Sequence, residues 1–100
     1  MRVRLTGREV EAIRVAAREA FGAGAVVRVF GSRADDARRG GDLDLHVETD
    51  PGGGTIEAEA RFRAAIGPAL DDLGVDIVFL ERGGPLRPID EIASREGLAL

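Results

Sequence analysis

Gly31-Ser32-Arg33-Ala34-Asp35-Asp36-Ala37-Arg38-Arg39-Gly40-Gly41-Asp42-Leu43-Asp44 joins two apolar runs, Ala25 to Phe30 before it and Asp42 to Val47 overlapping its end. The first run is valine-rich and stops at a Gly-Ser pair. The second alternates, with Asp42, Asp44, His46 and Glu48 at one parity and Leu43, Leu45 and Val47 at the other. Period-two alternation is the pattern of a strand with one face buried. Asp42 and Asp44 should therefore share a face, about 6–7 Å apart along the strand. Two carboxylates with one aim, beside a turn able to present backbone N–H groups, suit a divalent cation and a triphosphate.

Working outward, Thr6 and Glu9 have the spacing of a capping box. Val10, Ile13, Ala17, Ala20 and Phe21 then recur at three- and four-residue steps, which predicts an amphipathic helix that Gly22 and Gly24 stop. Thr55 predicts a second N-cap, and the apolar face runs from Ile56 through Phe62 and Ile66 to Leu73, interrupted at Gly67-Pro68. Val75 to Leu80 reads as a third strand, and its nearly continuous apolar character predicts a central place in the sheet. Pro88 predicts the first residue of a last helix ending at Glu96, with Gly97 as its stop and Leu98 to Leu100 as a docked tail.

The expected order is helix, strand, strand, helix, strand, helix. A loop of about ten residues lets the first two strands be antiparallel neighbours, and a helical crossover makes the third parallel to one of them. The expected fold is a single α/β (α+β) domain over residues 1–100, a small mixed sheet with helices packed on one face and the aspartates on the other.

Composition narrows the function. Hydrophobic residues make up 44% and charged residues 32% of the 100-residue chain, the balance of a folded domain. There is no apolar stretch of the roughly 18 residues a membrane span needs, and Met1 to Leu5 lacks the apolar core of a signal peptide. Without cysteine there is no thiolate metal site, and a cytoplasmic location is expected. A net charge of −4 argues against stable binding of duplex nucleic acid. All 14 basic residues are arginine, which removes a catalytic lysine. Arg28, Arg33, Arg38 and Arg39 nevertheless gather around the Gly-Ser loop, where a triphosphate would need positive charge.

Asp76 is the second informative position. An aspartate within Val75-Asp76-Ile77-Val78-Phe79-Leu80 is costly to bury without a partner. It either marks the exposed start of the third strand, two residues past Gly74, or joins Asp42 and Asp44 if that strand lies beside theirs. Three converging carboxylates repel one another, and a divalent cation removes that penalty. Two such cations about 3.5–4 Å apart could activate a hydroxyl and steady a leaving pyrophosphate. The bland alternative for Asp42 and Asp44 is a turn after Gly40-Gly41, and for Gly31-Ser32 an ordinary strand end. Their combination favours the site. His46, the lone histidine, reads as structural. Glu48 reads as a surface residue, and Asp71-Asp72 and Asp90-Glu91 as solvated helix positions.

A strand ending in Gly31-Ser32, a spacer, Asp42-Leu43-Asp44, then an isolated aspartate on a later apolar strand resembles the polymerase-beta-like nucleotidyltransferases. The short length and the Gly-Ser-Arg opening are most similar to the minimal nucleotidyltransferases, the MNT family. The likeness spans about residues 6–80, with a spacer between Ser32 and Asp42 one residue shorter than in many members. It implies the polymerase-beta-like fold and transfer of a nucleotidyl group, AMP from ATP, to a hydroxyl with Mg²⁺, two ions being expected. Asp42, Asp44 and Asp76 would be the catalytic and metal-binding residues. Gly31 and Ser32 would hold phosphates, with Arg33 as a further contact. It implies a HEPN-domain partner whose tyrosine accepts the nucleotide, making this chain a type VII-like antitoxin. The alternatives are an antitoxin that neutralises a HEPN ribonuclease by complex formation alone, and a small-molecule nucleotidyltransferase working with a partner subunit. The chain leaves room for a homo-oligomer or a hetero-oligomer.

Overall fold

The computed structural model describes residues 5–30, 42–70 and 74–100. Helix α1 (Gly7–Phe21) leads into strands β1 (Val26–Phe30) and β2 (Asp42–Thr49). Helix α2 (Ile56–Ile66) and a single 3₁₀ turn (Gly67–Ala69) cross to β3 (Gly74–Glu81). Helix α3 (Pro88–Glu96) and the two-residue strand β4 (Leu98–Ala99) complete the chain. The four strands form one mixed sheet in the order β3-β2-β1-β4. β1 runs antiparallel to β2 and to β4, and β2 runs parallel to β3. The chain thus forms the expected small α+β fold, with three α-helices on a four-stranded mixed sheet among the described residues.

Local chemistry sets the helix ends. The Thr6 hydroxyl accepts a hydrogen bond from the Glu9 backbone N–H at 3.1 Å, and the Glu9 carboxylate accepts one from the Thr6 N–H at 2.8 Å. Both satisfy donors that the first turn would otherwise leave open. Gly22 then ends α1 with φ +95°, a conformation that other residues adopt only under strain. Thr55 caps α2 in the same way, accepting from Ala58 N–H at 3.1 Å. We expect Thr6→Ala to cost about 1 kcal/mol, lowering the melting temperature by about 5 °C, as read by thermal and urea unfolding.

The core lies between one face of the sheet and α1 with α2. Leu43, Leu45 and Val47 of β2, Val29 of β1, Ile13 of α1 and Phe62 of α2 are wholly buried there. Phe21, Phe62 and Phe79 close it with ring centroids 5.5–6.3 Å apart, tilted or edge-on, as aromatic pairs prefer. The expectation of helices on one face holds for α1 and α2; α3 is the exception. Its Asp90 reaches His46, which has the opposite strand parity to Leu45 and Val47. Gly97, at the end of α3, comes against Arg28 of β1: a Cβ there would lie 3.2 Å from the Arg28 Cβ. Helix α3 therefore crosses the second face of the sheet, from β3 towards β1.

That crossing explains a correction. The apolar run of β3 predicted a central strand, yet β3 lies at the edge of the sheet. Its residues are apolar because both faces are partly covered, not because it has a strand on each side. Val75, Ile77 and Phe79 pack on the α1–α2 core, while Val78 and Leu80 are half-buried on the face that α3 crosses. The expected C-terminal tail does dock, with β4 pairing to β1 and the Leu100 N–H donating to the Val27 carbonyl at 2.9 Å.

Candidate active site

Asp44 and Asp76 are register partners across the parallel β2–β3 ladder. Paired residues on neighbouring strands share a face, with strands about 4.8 Å apart. Two residues from different strands, 32 positions apart in sequence, are thus set side by side by the crossover. Asp44 is half-buried and Asp76 is exposed; Asp76 lies near the start of β3, and its register partner is Asp44. Asp42 begins β2, paired with Gly74, two residues before Asp44. Its side chain lies outside the description, as do Gly31, Ser32 and Arg33 together with Arg38, Arg39 and Asp71-Asp72. The last residue of β1, Phe30, is the partner of Asp44 on its other side.

Like charges directly opposite each other on a sheet are destabilising. Hard carboxylate oxygens at such a position form a donor set that fits a hard divalent cation. Among the described residues no group of three histidine, aspartate or glutamate side chains is placed to hold a metal, so His46 does not complete the pair.

His46 is engaged elsewhere. Its Nε2 lies 2.8 Å from Asp90 Oδ1, both side chains are 1% exposed, and its ring meets Phe30 edge-on with centroids 6.4 Å apart. Asp90 also accepts from the Arg87 backbone N–H at 2.8 Å and from Arg87 Nε at 2.9 Å. The Arg87 guanidinium beside it holds the Asp90 carboxyl far below the usual carboxylate range. The expectation of a solvated Asp90 is thereby corrected: it is the buried post on which α3 stands. The signal was present in Arg87-Pro88-Ile89-Asp90, where an acidic residue at the third helical position returns to the cap backbone.

Glu48 is also corrected from a surface position. It is half-buried and accepts from Arg82 Nε at 2.8 Å and Arg28 Nη1 at 3.0 Å. Those two hydrogen bonds, Arg82 first, lower its pKa. Arg28, expected beside the Gly-Ser loop, donates to Glu48; the loop itself lies outside the described residues. Arg82 continues the network to Asp50 and, at 3.0 Å, to the Gly24 carbonyl, tying the end of the sheet remote from Asp76.

No helix among the described residues is long and apolar enough to cross a membrane. The chain matches no protein-family model, and no curated protein sequence matches it significantly.

Proposed function

We propose that the protein is a magnesium-dependent nucleotidyltransferase, transferring a nucleotidyl group, AMP from ATP, to a hydroxyl on a partner protein. The single observation that carries the reading is the Asp44–Asp76 register pair, on the sheet face turned away from α1 and α2. The resemblance of Gly31-Ser32 and Asp42-Leu43-Asp44 to the minimal nucleotidyltransferases supplies the reaction class. Asp42, Asp44 and Asp76 would hold Mg²⁺, which supplies Lewis acidity at the acceptor oxygen and charge neutralisation at the departing pyrophosphate. Gly31 and Ser32 would bind the outer phosphates through backbone N–H groups and the hydroxyl, with Arg33 as a further contact. Asp76, the exposed carboxylate, would accept the proton of the incoming hydroxyl. The resemblance makes the acceptor a tyrosine of a HEPN ribonuclease, the role an antitoxin, and the setting cytoplasmic.

The test is incubation with α-labelled ATP, Mg²⁺ and a HEPN-domain ribonuclease as the candidate acceptor. Label on a partner tyrosine, dependent on Mg²⁺, supports the proposal. Neutralisation of the ribonuclease with no label at any Mg²⁺ or Mn²⁺ concentration leaves a binding antitoxin instead.

A further inference from the structure

Among the described residues, β3 is an edge strand with β2 on one side and no strand on the other. Successive residues of a strand turn their backbone groups to opposite sides. The Arg82 N–H, continuing the β2–β3 ladder, donates to the Thr49 carbonyl at 2.7 Å. Even-numbered residues of β3 therefore face β2, and Val75, Ile77, Phe79 and Glu81 turn their N–H and C=O outward. The chain seals the last two of these itself. Arg87 Nη2 donates to the Phe79 carbonyl at 2.7 Å, and the Gly84 N–H donates to the Glu81 carbonyl at 3.0 Å. Among the described residues, Val75 and Ile77 have no such cap. Their side chains are only partly buried, whereas their register partners Leu43 and Leu45 on β2 are wholly buried.

An uncovered strand edge is a template for another strand. The open part of this edge is one short step, Val75-Asp76-Ile77, centred on a carboxylate of the candidate active site. Its register decides the occupant. A second copy pairing antiparallel over this step would set Asp76 opposite Asp76, and like charges directly opposite are destabilising. A strand from a different protein escapes that clash. The residue it places opposite Asp76 lies on the same face, with Cβ atoms about 5 Å apart. An ionised carboxylate only accepts hydrogen bonds, so a hydroxyl at that position is complementary to it.

We infer that the acceptor protein docks by strand addition: an extended segment pairs antiparallel with Val75 and Ile77 and holds its hydroxyl-bearing residue opposite Asp76. Main-chain hydrogen bonds supply the affinity, as in other cases of an added strand. The inference rests on the nucleotidyl-transfer reading for the role of that hydroxyl. On that reading the acceptor oxygen bonds to the α-phosphorus, the bond to the pyrophosphate breaks, and the hydroxyl proton passes to Asp76. The probe is the capped peptide acetyl-Thr-Val-Tyr-Val-Thr-amide, against the same peptide N-methylated at both valines. Methylation keeps every side chain and removes the donors that would face β3. Binding is followed in the full chain by backbone amide resonances and hydrogen exchange, and transfer by label from α-labelled ATP with Mg²⁺. Expected are saturable shifts and slowed exchange at Val75 and Ile77, affinity for the methylated peptide at least about tenfold weaker, and label on the tyrosine of the unmethylated one. Asp44→Asn should bind the peptide as the native chain does and transfer no label. Shifts at Val75 and Ile77 without label would sustain the strand-binding edge while the transfer reading fails. Label without those shifts, or equal affinity for the two peptides, would overturn the edge and leave the transfer reading standing. No shift at millimolar peptide would overturn it as well. Slowed exchange at the same amides that grows with protein concentration, without peptide, would overturn it in favour of a second copy.

Discussion

Asp44→Asn should lower nucleotidyl transfer by at least about a thousandfold, with unfolding free energy within about 1 kcal/mol of the native chain. The amide keeps the shape of the carboxylate and removes its charge. A neutral amide is a poor ligand for a hard cation, so a metal position is lost rather than shifted. The sheet around residue 44 is held by its ladders to β1 and β3 and by Leu43 and Leu45 on the buried face, which keeps the expected stability change small. Asp76→Asn should act in the same direction, because the proposal places residue 76 at both the metal and the proton. The measurement is the initial rate of label transfer across a Mg²⁺ titration, beside thermal unfolding of each variant. Transfer at native rates in Asp44→Asn would show that the register pair does not hold the metal.

The ends of the helices were legible because their determinants are neighbours in sequence. Thr6 with Glu9, Thr55 with Ala58 and Pro88 at the start of α3 each act within one turn. The strand alternation of β2 was equally plain, since Leu43, Leu45 and Val47 are all fully buried. Placing Asp76 beside Asp44 needed one more step: topology rules make β3 parallel to one of the first two strands without choosing which, and the structure sets it beside β2. What escaped the sequence were the long-range charge partners. Asp90 finds His46 across 44 residues, and Glu48 finds Arg82 across 34, so both charged side chains looked like solvent positions until α3 and the end of β3 were in place. The edge position of β3 was hidden for a related reason. Apolar residues on both faces of a strand report coverage by helices as readily as burial between strands.

Asp90→Ala should be the most destabilising single polar substitution, costing about 3 kcal/mol and lowering the melting temperature by on the order of 15 °C. The buried carboxylate accepts from His46, from the Arg87 backbone and from the Arg87 guanidinium. Its removal leaves the His46 N–H, 1% exposed in the native chain, without its protein acceptor. The Arg87 guanidinium is half-exposed and can turn to solvent, which keeps the loss below that of a wholly buried ion pair. The pH dependence gives an independent readout. Asp90 has a depressed pKa in the folded chain, caused first by the Arg87 hydrogen bond. The folded state therefore takes up this proton less readily than the unfolded state, in which an aspartate titrates near pH 4. The stabilisation is complete above about pH 5 and shrinks as the pH falls below about 4 towards the depressed folded value. Denaturant unfolding of native and Asp90→Ala chains should show a constant gap from pH 7 to pH 5 and a narrowing gap at pH 4 and pH 3. A gap that stays constant down to pH 3 would mean that the Asp90 carboxylate does not secure α3 to the sheet through its charge.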